Sequence, residues 1–410
     1  MVEVLTIIYL TYSFVAMYFL FLFLLIYIPH RKKIFLYPET EKNYSLSIVV
    51  PCYNEAESIG ETIQRLLDSN YKGLKKIIVV DDCSTDNSYE VIKKYAKKYS
   101  RVLAVQTPKN TGRASGAKNY GVKFVKTNLI GFVDADSYPD VNAIGRMIGF
   151  FDDEKVGAVT SQVLVKNRNN LIEKMQAIEY KIIVFTRKLL GFIDAIYVTP
   201  GPLAIYRKTA FDKVKGFDES NLTEDIEITW HLVYAGYTVR MCVPALVYTI
   251  APSKFKDWFK QRIRWNVGGL QTIKKYNRTF LKKGMLGNFI LPFFVFSWGL
   301  GIFGLFVLSY RIARKFIVQY LATKYAIGAQ TAILTLRDLN LTPNVLVFFG
   351  LMILIFSIWF TLLVLFRLKE KEFKQHSLWD MFSYMFIYLV AYPFLLVISI
   401  YKFLRRKQTW

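Results

Sequence analysis

Residues 129–137 read LIGFVDADS: an apolar run that breaks directly into two carboxylates, Asp134 and Asp136. A short apolar run that ends abruptly in charge reads as a buried strand whose tip opens on a polar site. The same arrangement occurs twice upstream. Residues 46–52 (LSIVVPC) lead into Tyr53, Asn54 and Glu55, and residues 75–80 (KKIIVV) lead into Asp81 and Asp82. Two more β-branched runs lie at 101–106 and 156–163, and amphipathic stretches such as 56–69 and 87–99 fall between the runs. Strand and helix in alternation predict an α/β domain over residues 40–250, with a mostly parallel sheet covered by helices on both faces. Ligands of such sheets bind outside the carboxyl ends of the strands, where the acidic residues sit.

The flanks read differently. Residues 4–28 carry no charge and are followed by His30, Arg31, Lys32 and Lys33. At 1.5 Å per residue this stretch spans a bilayer core of about 30 Å. The basic cluster predicts that residue 31 onward lies inside, with the N-terminus outside and residues 1–30 as the first span. Apolar segments return at 288–310, 344–366 and 382–404, with a weaker one at 316–336 that contains Gln319, Lys324 and Gln330. Residues 286–410 are therefore expected to hold three or four spans. Arg405, Arg406 and Lys407 favour four, whereas Arg367, Lys369, Lys371 and Lys374 favour three. Segments 170–190, 254–265 and 270–283 are amphipathic and basic. Residues 251–285 in particular are read as interfacial helices that hold the domain against the membrane, with ordinary packing on the sheet as the alternative for 170–190. The net charge of +23 (54 Lys and Arg against 31 Asp and Glu) fits anionic lipid. With no recognised nucleic-acid module, a nucleic-acid partner is not expected. Three cysteines, Cys52, Cys83 and Cys242, form no paired motif and exclude a disulfide scaffold.

Each polar cluster has a chemical and a bland reading. Asn54, Glu55 and Glu57 after the first strand line a ligand crevice or merely a loop. Asp81 and Asp82 can accept hydrogen bonds from a base or ribose, or stand as solvated loop acids. Asp86-Asn87-Ser88 reads as a helix cap. Asp134 and Asp136 supply hard oxygen ligands for Mg²⁺ or Mn²⁺, which can bridge a nucleotide diphosphate leaving group. In the stretch Thr223-Glu224-Asp225, Asp225 reads as a general base or as a helix cap. In 260–269 (KQRIRWNVGG), Arg264 offers a fork to pyrophosphate and Trp265 a flat face to a sugar, or the cluster anchors the chain to the membrane. His30, His231 and His376 show no ligand spacing.

Taken in order, Asp82, Asp134/Asp136, Glu224/Asp225 and Gln261/Arg264/Trp265 resemble the signature of the membrane-embedded processive glycosyltransferases of family 2, which include cellulose, chitin and hyaluronan synthases. The segments TEDIEITWHL and IEKMQAIEYKIIVFTRK are most similar to the poly-β-1,6-N-acetylglucosamine synthase subgroup. The resemblance covers residues 1–285 and implies a cytoplasmic GT-A (Rossmann-like) domain with interfacial amphipathic helices and transmembrane spans. It implies a UDP-sugar donor, best matched by UDP-N-acetylglucosamine. Pro51, Tyr53, Asn54 and Glu55 with Asp81, Asp82 and Arg113 would hold the nucleotide-sugar. Asp134 and Asp136 would hold Mg²⁺ or Mn²⁺. Asp225, beside Glu224, would deprotonate an acceptor hydroxyl for inverting attack. Thr223, Gln261, Arg264 and Trp265 would hold the growing polysaccharide and the pyrophosphate. The product would be an exported biofilm exopolysaccharide, and an accessory membrane subunit is admissible. One departure is 199–210 (TPGPLAIYRKTA), where Pro200 and Pro202 replace a small Gly-rich acceptor loop. The rival within enzymes transfers one sugar to a polyprenyl phosphate and normally lacks the Gln-x-x-Arg-Trp motif. A non-catalytic glycan-binding membrane subunit would need none of Asp82, Asp136 and Asp225.

Overall fold

The structure, a computed structural model, describes residues 4–329, 345–370 and 376–405. Residues 330–336 of the weaker apolar segment, Lys371 and Lys374, and Arg406 and Lys407 of the tail lie outside the described residues. The chain opens with α1 (Val4–His30). It then alternates β1 (Leu46–Cys52), α2 (Ile59–Leu67), β2 (Leu74–Asp81), α3 (Ser88–Lys98), β3 (Val102–Gln106), α4 (Ala114–Val122) and β4 (Leu129–Phe132). There follow β5 (Ser137–Pro139), α5 (Ala143–Ile148), β6 (Val156–Val165), α6 (Leu171–Gly191), β7 (Ala204–Arg207), α7 (Lys208–Lys213), α8 (Glu224–Tyr234) and β8 (Thr238–Thr249). The last helices are α9 (Phe255–Tyr276), α10 (Leu291–Gly328), α11 (Val345–Arg367) and α12 (Leu378–Leu404).

One eight-stranded sheet runs in the order β3-β2-β1-β4-β7-β6-β8-β5. The half expected from the alternation, β3 to β4, is parallel. The other half is mixed: β6 and β8 pair parallel, whereas β7 lies antiparallel to both β4 and β6, and β5 antiparallel to β8. Short strands such as β5 and β7, of three and four residues, leave no periodic signal to read. In β1, Ile48 and Val50 face one hydrophobic cluster with α2 and α5, while Val49 faces the other, with α6 and α8. Pro51 is tolerated because its missing N–H would face β4 beyond that strand's last pair, Val49 with Phe132.

The second of these clusters does not stop at the sheet. It continues through Val184, Phe185 and Leu189 of α6 into Leu24 and Ile26 of α1 and Phe360 and Val364 of α11. Helix α6 is thus sandwiched between sheet and apolar helices, and its Lys181, Arg187 and Lys188 are buried rather than spread on a surface as the amphipathic reading expected. Segments 254–265 and 270–283 likewise differ from expectation: the first and much of the second form one helix, α9, closed by a 3₁₀ turn at Asn277–Thr279.

Four helices are long and apolar enough to cross a membrane: Leu10–His30, Leu286–Gly328, Phe348–Arg367 and Leu378–Leu404. Helix α10 runs for 38 residues without a turn, about 57 Å, so residues 316–328 continue the helix of 291–310 and do not start a separate returning span. The start of the α11–α12 connection sits against α6 and the segment that follows β6. Arg367 donates to the Arg31 carbonyl at 2.6 Å, and Glu370 pairs with Arg168 and with Lys181, the latter at 3.5 Å.

A buried polar network ties α6, α9 and α12 together. Arg262 is fully buried and donates through Nε to Glu179 at 3.0 Å as well as through Nη2. Tyr388 donates to the same carboxylate at 2.6 Å and accepts from Trp258 Nε1 at 3.1 Å. Removing one member leaves an uncompensated charge in a dry site, a cost of about 3–5 kcal/mol. Arg262→Leu alone is expected to lower the melting temperature of the detergent-purified protein sharply. Arg262→Leu combined with Glu179→Leu is expected to recover most of that loss.

Candidate active site

The tips of β1 and β2 form one unit. Asn54 takes a left-handed conformation (φ 56°), donates its N–H to Ser84 Oγ at 3.0 Å, and accepts the Thr85 N–H at 2.8 Å. The Glu55 N–H donates to Ser88 Oγ at 2.8 Å, and Asp86 accepts from Ala56 and Ser88, which makes it structural. Asn54 and Asp86 are thereby committed to holding the crevice, while Tyr53 projects with half its surface exposed. The two adjacent aspartates part company. Asp82 accepts from the Thr107 hydroxyl (2.8 Å), the Thr111 N–H (3.0 Å) and the Thr111 hydroxyl (2.7 Å), and so fastens the 107–111 loop. Asp81 is fully buried. One carboxylate oxygen accepts from Gln106 (2.8 Å) and Ser84 (3.2 Å), and the other has no partner. Arg113 caps α4 and donates to the Glu219 carbonyl at 3.0 Å.

At the tip of β4, Asp134 faces a residue that the sequence did not single out. The Nζ of buried Lys118, from α4, lies 3.4 Å from Asp134 and 2.9 Å from Glu224. Burial alone would lower this ammonium's pKa, but Glu224 and then Asp134 more than offset that and raise it. Burial likewise disfavours charge on Glu224, yet Lys118 holds it below the usual carboxylate range. Asp225, next in the chain, stays well above that range, through burial first and the Glu224 charge second. Asp136 is pushed up to about 7, by burial and then by Asp134 and Glu55. Such a concentration of buried negative oxygen fits a divalent cation. Among the described residues no three His, Cys, Asp or Glu side chains form a cage, so Asp134 and Asp136 would leave most positions to phosphate and water, the habit of Mg²⁺-type ions.

Two close approaches close the site. A Cβ on Gly201 would come 2.2 Å from an Asp134 carboxylate oxygen, so the Thr199-Pro200-Gly201-Pro202 loop lies directly on the carboxylate pair. A Cβ on Gly268 would come 2.2 Å from Thr223 Oγ1, so α9 packs on the start of α8. Gln271 accepts the Leu222 N–H and Asn221 donates to Thr272, both at 2.9 Å, which fixes that docking. Thr223 stands at the helix N-cap, but its side chain makes no capping bond. On α9, Arg262 covers the Trp265 ring at 4.1 Å and donates to Gln261, and Trp265 stands 6.5 Å from Tyr180 of α6. Arg264 is exposed, and its charge acts on both Glu224 and Asp225.

The sequence reading also passed over Arg187 of α6, which is buried and whose Nε and Nη1 have no hydrogen-bond partner among the described residues. For Lys118 a signal existed: it is the one charge on the buried side of a helix otherwise lined by Ser115, Gly116, Ala117 and Gly121. Gly201 gave none, since its role is a contact across the fold.

Residues 47–215 match the family described as Glycosyl transferase family 2. This stretch, which holds β1 to α7, is a family 2 glycosyltransferase domain by that match. The poly-β-1,6-N-acetyl-D-glucosamine synthase of Staphylococcus epidermidis is 30% identical over 267 residues, covering 65% of this chain and 64% of that protein. Its counterpart from Staphylococcus aureus strain COL is 30% identical over 250 residues, 60% of either chain. The chain thus spans a little under two thirds of the length of these relatives. Among solved structures, the mannosyltransferase PcManGT of Pyrobaculum calidifontis, in complex with GDP-Man and Mn²⁺, superposes with a TM-score of 0.63 at 17% identity over 97% of this chain and 99% of that one. That likeness establishes the GT-A fold over a mixed sheet with helices.

Lys118→Met removes the cation between two carboxylates. It is expected to raise the acid limb of the pH–rate profile by about 1–3 units, since a lost opposite charge disfavours the ionised form of Asp225. Lys118→Arg, which keeps the charge, is expected to bring the limb back towards its original position, a recovery that repacking alone would not produce.

Proposed function

We propose that this glycosyltransferase polymerises a UDP-sugar, best matched by UDP-N-acetylglucosamine, into a β-linked polysaccharide by inverting transfer, and passes it across the membrane. The observation that carries the reading is the docking of α9 on α8 through Gly268 and Thr223, together with the action of the Arg264 charge on Asp225, which supports an acceptor role for Gln261, Arg264 and Trp265. The relatives named as polysaccharide synthases support the same reading.

In this mechanism the nucleotide lies over the tips of β1 and β2. The unpartnered oxygen of Asp81 accepts a base N–H, Tyr53 offers its exposed ring, and the backbone at Pro51, Asn54 and Glu55 shapes the crevice. Asp82 and Arg113 hold the neighbouring loop. Asp134 and Asp136 hold Mg²⁺ or Mn²⁺, which when bound offsets the charge of the leaving diphosphate. Lys118 keeps Glu224 ionised and in place, and Arg264 faces the pyrophosphate. The acceptor sugar rests on Trp265 and Tyr180, with Gln261 and Thr223 at its edge. Asp225 takes the proton of the acceptor hydroxyl. The hydroxyl oxygen bonds to the anomeric carbon from the face opposite the diphosphate, the carbon–oxygen bond to UDP breaks, and configuration inverts.

The same proposal divides the chain into a span at 1–30, a cytoplasmic catalytic domain at 40–250, a membrane-side helix region at 251–285 and three crossings within 286–410. The contacts of Arg367 with Arg31 and of Glu370 with Arg168 and Lys181 support keeping residues 367–370 on the catalytic side. The protein then resides in the cell membrane, in contact with anionic lipid, and an accessory membrane subunit remains compatible.

UDP release by detergent-purified protein, measured with a panel of UDP-sugars and either metal and with the product sized, tests the reading. A polymer is expected, and a chloroform-soluble monoglycosyl lipid would overturn it. Asp225→Asn is expected to cut transfer by about 10²–10⁴-fold with UDP binding retained. Because Asp225 acts ionised and its pKa is raised, wild-type turnover is expected to fall with acidification well above the ordinary aspartate range. Trp265→Ala is expected to abolish elongation while sparing hydrolysis of the donor, read as short product with continued UDP release.

A further inference from the structure

A second cavity, of about 510 Å³, opens away from the carboxylate cluster, between the segment leaving α1, the end of α6 and the start of β8. Its walls carry Lys33, Lys188, Arg240 and one carboxylate, Asp194, a net charge of +2. Asp194 is already paired with Arg240. Lys188 is nine-tenths buried, and its Nζ donates to the Met241 carbonyl at 2.9 Å. Among the described residues it has no carboxylate partner. A buried ammonium normally has an anion beside it, because desolvation without compensation is costly. Burial accordingly lowers Lys188 to about 8, and an anion in the cavity would reverse that shift.

The surroundings indicate which anion. The mouth is formed by residues that immediately follow α1, three to eight positions past its end, and Phe35, Leu36 and Tyr37 there are exposed. His30, the last residue of α1, stacks on Phe192 of the cavity wall at 4.3 Å between ring centroids. Arg367, ending α11, reaches the same turn. The cavity therefore lies where two apolar helices end, with cations inside and exposed apolar side chains at the lip. A soluble anion needs the cations but not the apolar lip, whereas a lipid uses both: its phosphate meets the cations and its glycerol and upper acyl chain cover the lip.

We propose that this cavity binds the phosphate headgroup of an anionic membrane lipid, between Lys33 and Lys188. The site is separate from the donor and acceptor positions and does not depend on which sugar the enzyme transfers. Lys188 follows Arg187 directly, so the helix that receives the headgroup is the one that runs behind the catalytic carboxylates.

The test uses the full chain in detergent, titrated with phosphatidylglycerol or with phosphatidylcholine of the same acyl chains, and counts lipid retained per chain by native mass spectrometry. Wild type is expected to retain phosphatidylglycerol at least about fivefold over phosphatidylcholine. Lys188→Gln and the surface variant Lys33→Gln are each expected to reduce that preference by several-fold. Lys33→Gln, whose side chain is exposed, decides the matter if Lys188→Gln does not fold. Equal retention of the two lipids, or an unchanged preference in Lys33→Gln, overturns the proposal. Glycerol phosphate in place of lipid is expected to bind at least about a hundredfold more weakly; binding as tight as that of the lipid would assign the cavity to a soluble anion and overturn the lipid source.

Discussion

The catalytic end of this protein depends on one buried ammonium. Lys118 has lost its water and is stabilised chiefly by Glu224 and Asp134, which come from segments about ninety residues apart in the chain. In a low-dielectric site neither the cation nor its two carboxylates tolerates being left alone. The interaction therefore does more than neutralise charge: it sets the tip of β4 and the start of α8 at a fixed separation. The charges then sort themselves. Glu224 is held ionised by its contact with Lys118, while Asp225 is driven the other way, by burial first and by its like-charged neighbour Glu224 second. Adjacent carboxylates with opposite displacements are the arrangement by which one fold separates a positioning group from a proton acceptor.

A second constraint joins this site to the apolar helices. The core on one face of the sheet is continuous with α1 and α11 through α6, and the Arg262–Glu179–Tyr388 network joins α6, α9 and α12. A sheet that packs directly on membrane-type helices cannot swivel freely over them. Under the proposed polymerisation this rigidity has a use, because the terminal sugar would have to leave Asp225 along a path that starts in the same place after every transfer. The cavity at the end of α1 belongs to the same junction, on its outer side.

The strand tips illustrate how a site can be crowded with acids and still have few that are free. Asp82, Asp86 and Asn54 spend their oxygens on neighbouring loops. Asp81 keeps one oxygen unpartnered and buried. Buried polar atoms are nearly always satisfied, so this orphan at a strand tip supports the proposed contact with a nucleotide there.

The sequence by itself determined the parallel half of the sheet, the strand-tip location of the acids, the apolar helices and the order of the signature motifs. These depend on local pattern: β1 and α6 announce themselves because a short apolar run or a 3–4-residue apolar spacing is carried within one segment. Only the tertiary structure decided the antiparallel pairings of β5 and β7, since these strands are too short to carry a period and exist through pairing. It alone decided that the basic residues of α6 are buried, because amphipathic spacing is the same for a helix under a sheet and one under a membrane. It alone separated Asp81 from Asp82, adjacent in sequence and opposite in hydrogen bonding. And it alone revealed Lys118 and Gly201, whose roles lie in contacts with Asp134 made across the fold, where sequence distance carries no information.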